Sequence, residues 1–140
     1  MPKITFMPLS DQYKKIGPEP IPISKEVPEY WDLIYFGGNH FVTMPTKITE
    51  HIFRVYNTVC LHGIAINHTM YDKIIEANYK INRPTDCNIG DLQKSCLAVV
   101  TRPHLCWQRE GYSDVQTSVQ NYEFLQKFET SIPLWTSDIW

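Results

Sequence analysis

Ser95-Cys-Leu-Ala-Val-Val-Thr101 decides the fold. Five apolar residues in a row, rich in β-branched side chains and closed by Arg102-Pro103, predict a strand buried on both faces. A strand of that kind needs other strands beside it and layers above and below. The chain around it therefore has to supply a sheet and its cover.

Working outward, His104-Leu-Cys-Trp-Gln-Arg109 is the expected partner strand, with Pro103 at the bend. Upstream, residues 84–94 carry Pro84, Gly90 and Asp91 and predict a loop. Before that, Met70, Ile74, Ala77 and Ile81 recur at helical spacing behind a Thr69/Asp72 capping pair. A second helix is expected over residues 46–62, where Ile48, Ile52, Val55, Tyr56 and Val59 form one stripe ahead of Gly63. Tyr30-Trp-Asp-Leu-Ile-Tyr-Phe36 predicts a strand. Gly37-Gly38-Asn39 predicts a tight turn, and His40-Phe-Val-Thr-Met44 the returning strand of a hairpin. Residues 114–129 are open to two readings, a helix apolar nearly all round or an extended segment. The sum is an α+β fold: a single small domain over residues 30–140 with a β-hairpin, two amphipathic helices and a second strand pair. A proline-rich extended arm, residues 1–29, precedes it.

The arm holds six of the ten prolines within its first 28 residues, and proline favours extended backbone in itself and in the residue before it. Ile21, Ile23 and Val27 give it apolar positions to dock with. Its last residues, Val27-Pro28-Glu29-Tyr30, are similar to the Pro-Pro-x-Tyr budding motif near the N-terminus of some viral matrix proteins. Valine stands where the first proline should be, so the likeness covers four residues and assigns no family.

The composition excludes some classes of function. A net charge of −2 gives no global field to draw nucleic acid or an anionic membrane. No window reaches the roughly 18 apolar residues of a membrane span. The first 30 residues lack the apolar core of a signal peptide. An intracellular protein, cytoplasmic or nuclear, is expected, with Cys60, Cys87, Cys96 and Cys106 reduced. Their spacing gives no Cys-x-x-Cys pair. A zinc set from Cys87, Cys96, His104 and Cys106 lacks the close ligand pairs such sites use. Cys60 beside His62 lacks a thiol-activating setting, because a helix C-terminus raises a thiol pKa. Asp72 and Glu76, four apart, fit a solvated helix face. The pattern assigns no catalytic residue, no metal and no cofactor.

What remains points to association. The chain is 13% aromatic, and Trp and Tyr are favoured interface anchors. The aromatic cluster Tyr30, Trp31, Tyr35 and Phe36 adjoins the arm, and Trp135 and Trp140 end an apolar C-terminal segment. The expected function is a non-catalytic protein-interaction or assembly module, self-associating or binding a partner protein through the arm and that terminus. A viral structural protein, a host-factor-binding protein and a small adaptor all fit. The alternative is a nucleic-acid-binding protein using Lys73, Lys80, Arg83, Lys94, Arg102 and Arg109, interleaved with Tyr71, Tyr79 and Trp107. A third reading is a small enzyme with a Cys/His or carboxylate site that carries no sequence signature.

Overall fold

Three layers surround the buried run, in an α+β arrangement. The computed structural model of the chain describes residues 23–128. Its elements are α1 (Ile23–Glu26), β1 (Leu33–Tyr35), β2 (Asn39–His40), β3 (Thr46–Lys47), β4 (Ile52–Arg54), β5 (Thr58–Val59), β6 (Ile64–Ile66), α2 (Tyr71–Asn78), α3 (Thr85–Leu92), β7 (Ala98–Thr101), β8 (Gly111–Ser113) and β9 (Ser118–Gln120). Single 3-10 turns lie at His68–Met70, Gln93–Ser95 and Glu123–Gln126.

The main sheet has the order β3-β4-β7-β1-β6, with β7 in the middle. β7 runs parallel to β1, with Leu33 opposite Ala98, and antiparallel to β4, with Phe53 opposite Val100. All four of its residues are buried, which is why they read as one apolar run and not as an alternation. The pleat sends neighbours to opposite faces. Leu33, Tyr35, Phe53, Val55, Ala98 and Val100 meet Met70, Ile89 and Phe128 on one face; Ile34, Ile52 and Val99 meet Trp31 on the other. Each fully buried Leu, Ile or Val contributes on the order of 1.5–3 kcal/mol.

α2 matches its predicted helical stretch. Other elements differ from expectation. Residues 46–62 form β3, β4 and β5 and the bends between them, and no helix. Ile52 and Phe53 are adjacent and both buried, on opposite faces of the sheet, which one helical stripe could not achieve. Pairing with the open side of β7 overrides a periodicity compatible with either state. The strand after Gly37-Gly38 does not fold back on β1; Asn39 and His40 pair with Val59 and Thr58. Residues 84–94 are largely helical as α3, whose first turn forms when Cys87 and Asn88 donate their N–H groups to the Pro84 carbonyl. Residues 104–109 form no strand: Leu105 and Cys106 donate to the Phe36 carbonyl at the end of β1. Of residues 114–129, the described ones, 114–128, take neither one helix nor one extended segment but the β8–β9 loop, β9 and a 3-10 turn. At the arm, residues 1–22 lie outside the described range, and Ile23–Glu26 is a helical turn where extended backbone was expected. Val27 then packs on the Trp31 side of the sheet. No helix among the described residues is long and apolar enough to cross a membrane.

Candidate interaction surface and buried histidine network

Among the described residues β8 and β9 pair only with each other, in a two-stranded sheet. Asp114–Thr117 links them; Ser113 Oγ accepts the Gln116 N–H, and Thr117 takes a left-handed φ of 52°. Tyr112 and Val119 stand directly opposite each other, 65% and 63% exposed, and Val115 in the linking loop is 87% exposed. Leu105, Trp107 and Phe124, just before and after the hairpin, are also exposed. An isolated two-stranded hairpin is marginal in water, and clustered exposed apolar groups mark contact surfaces.

The expected anchors fall differently. Tyr30 is exposed, but Trp31 and Tyr35 belong to the core and Phe36 is half-buried. β1 is an inner strand covered on both faces, so its aromatics fill the interior. Trp135 and Trp140 lie outside the described residues. The basic residues do not form one stripe. Lys73 lies on α2, Lys80 follows that helix and Lys94 follows α3. Arg83 donates to the Asp91 carboxylate, and Arg109 precedes the hairpin.

Arg102 belongs to another grouping. Its guanidinium lies 5.6 Å from the Phe53 ring centre and 5.5 Å from that of Phe128. It borders a cleft of about 490 Å³ with Lys47, Glu50, His51, Gln126 and Lys127. His51 Nδ1 donates to Glu26 Oε2 at 2.6 Å. Burial acts to raise the Glu26 pKa, but hydrogen bonds from Thr49 and His51 outweigh it and hold the carboxyl below its ordinary value. Positive groups outnumber negative ones around this cleft, a setting suited to anions. No local pattern marks it, because β3, the bend before β4, the end of β7 and the last 3-10 turn each supply part.

Beneath Phe128 lies a buried polar chain. The Leu125 carbonyl can only accept, so His104 Nδ1 donates to it at 2.8 Å. A neutral His104 then has Nε2 as acceptor, and His40 Nε2 donates to it at 3.3 Å. His40 Nδ1 is left to accept the Thr58 hydroxyl at 2.9 Å. These tautomers follow from the partners. Beyond Thr58, Gln93 Oε1 takes the Thr58 N–H, and Gln93 Nε2 donates to the Thr58 carbonyl and the Tyr35 hydroxyl, all at 2.7 Å. Burial, and then His104, push the His40 pKa down to about 3, so the His40 imidazole is neutral.

The cysteines are poor nucleophiles. Burial, and then a nearby carboxylate, push Cys60 up to about 12 and Cys96 up to about 11, and burial raises Cys87 and Cys106. Asp86 beside Cys60 receives the Cys60 N–H. The described residues contain no group of three metal-ligating side chains. Cys87, Cys96 and Cys106 are free, and His104 is engaged with Leu125 and His40.

No known protein family, no curated protein and no solved structure matches this chain.

Proposed function

We propose that the chain is a non-catalytic protein-interaction or assembly module. The observation that supports this reading is the concentration of exposed large apolar side chains between Leu105 and Phe124, on and around a hairpin that pairs with no other strand among the described residues. The arm and the aromatic terminus keep their proposed part, while Trp31 and Tyr35 act from the core by supporting the sheet. A viral structural protein, a host-factor-binding protein and an adaptor are all forms of this module. The test replaces Tyr112, Val115 and Val119 with Ser. The variant should keep its thermal transition and lose bound partners in quantitative affinity capture from its own cells. An unchanged capture profile would remove the hairpin from the surface.

The cleft supports a second reading, binding of an anionic polymer such as nucleic acid. Arg102 from the expected basic set is joined there by Lys47 and Lys127. A fluorescent oligonucleotide should bind with a salt dependence that Lys47→Glu and Lys127→Glu reduce, since each phosphate contact releases counterions. Binding unaffected by salt or by either change sinks this reading.

A further inference from the structure

α2 is apolar on the side turned from the sheet as well as on the side packed against it. Ile74 packs into the core, and Asn78 Oδ1 accepts from Asn88 Nδ2 of α3. Around the helix from these, Tyr71, Ile75 and Tyr79 form a line at i, i+4 and i+8, and they are 55%, 65% and 83% exposed. No residue of the helix is fully buried.

The spacing of this line is symmetric about Ile75. A two-fold axis passing there sets Tyr71 of one copy against Tyr79 of the other, twice, and Ile75 against itself. The charges beside the line have nearly the same symmetry. Asp72, Glu76 and Lys80 run along one side of it, and antiparallel copies bring each Asp72 near the Lys80 of the other while the two Glu76 carboxylates meet beside the axis, an opposing contact that keeps the association weak. Among the described residues neither makes an ion pair within its own chain. A parallel arrangement would instead set like charges side by side.

We propose that α2 is a self-pairing surface on which a second copy of this chain docks antiparallel, with its two-fold axis at Ile75. This deepens the assembly reading and rests on it. An isologous contact of this kind closes as a dimer. Tyr and Ile side chains this exposed offer roughly 100–200 Å² each, so two copies cover on the order of 1,000 Å², the lower edge of specific interfaces. The dimer is accordingly weak, with a Kd on the order of micromolar or above.

The experiment is sedimentation equilibrium of the full chain over a concentration series, with circular dichroism to confirm folding. Wild type should show a reversible monomer–dimer equilibrium. Asp72→Lys alone and Lys80→Asp alone should each weaken it at least fivefold, and the combined D72K/K80D chain should return to within about twofold of wild type, since the swap re-creates both pairs. Ile75→Cys should cross-link to itself under mild oxidation to a greater extent than wild type, whose four free cysteines serve as the background. A monomer at all concentrations overturns the proposal, as does a dimer indifferent to the single swaps or a double swap that fails to recover. A dimer lost in the Tyr112/Val115/Val119 variant but untouched by the α2 changes would sustain assembly while removing this surface.

Discussion

His40 and His104 face each other through their Nε2 atoms at 3.3 Å in the protein interior, where each side chain is almost fully buried. Thr58 and Leu125 hold the outer nitrogens of the pair, and Phe128 packs against both rings at 4.8 Å and 5.5 Å between centres. The pair thus ties β2 and β5 to the last 3-10 turn. It does so only while both rings are neutral, because a third proton would leave a buried charge.

That fixes a direction of pH dependence. His40 has an ordinary value of 6.5 and a folded value of about 3. Between these values the unfolded chain binds a proton that the folded chain does not. Stability therefore stands in full above pH 6.5 and falls as the pH drops toward 3, by up to about 1.4 kcal/mol per unit for this group. Urea titrations from pH 7 to 4 should show the loss, and His40→Gln should flatten the slope.

Gln93 satisfies three buried groups at once. Gln93→Leu leaves the Thr58 N–H and carbonyl buried and unpaired. At about 1–3 kcal/mol for each orphaned group, denaturant unfolding should show a loss of about 3 kcal/mol. Gln93→Glu should recover little, since a buried charge replaces the amide donor.

Gly63 leaves room for Cys106. A Cβ built at Gly63 overlaps Cys106 Sγ, and one built at Gly37 overlaps the Cys106 carbonyl oxygen. Gly63→Ala should cost about 1–3 kcal/mol by overpacking. Adding Cys106→Ala should recover most of that loss, whereas Gly37→Ala, which meets backbone, should resist rescue. Thermal melts of the four chains settle the comparison.

Ile81, three residues past the end of α2, has a left-handed φ of 46° and is almost fully exposed. A β-branched residue is strained there. Ile81→Gly should stabilise the chain by about 1 kcal/mol in chemical denaturation, although glycine usually weakens a fold.

The sequence revealed what depends on one segment alone. Ala98–Thr101 is buried on both faces, so its composition marks it without help, and Ile74 sits in a run whose spacing suits only a helix. α3 escaped notice because Pro84, Gly90 and Asp91 are turn signals. Its helix is supported from outside, by Asp86 receiving the Cys60 N–H and by Gln93, just past its end, bonding Thr58. β4 escaped because Ile52 and Val55 fit either period until β7 is placed beside them. The surface was misjudged at Trp31 and Tyr35, since aromatic residues suit an interface and an inner strand equally. The cleft and the histidine pair join residues up to 81 positions apart, from Lys47 to Phe128 and from His40 to His104. No local pattern encodes such meetings.

The parallel pairing of β1 with β7 has a consequence for how the chain is made. Leu33 and Ala98 are partners across 65 positions, and β4 reaches β1 only through β7 between them. A growing chain that has released everything through Leu92 still lacks the strand that joins its two halves. Until residue 101 emerges, Leu33 to Tyr35 and Ile52 to Arg54 each present an unfilled edge. Long-range closure of this kind is slow, and open edges invite wrong pairing. Mispairing of those edges is thus most open in the interval just before β7 appears, and it closes when that strand docks.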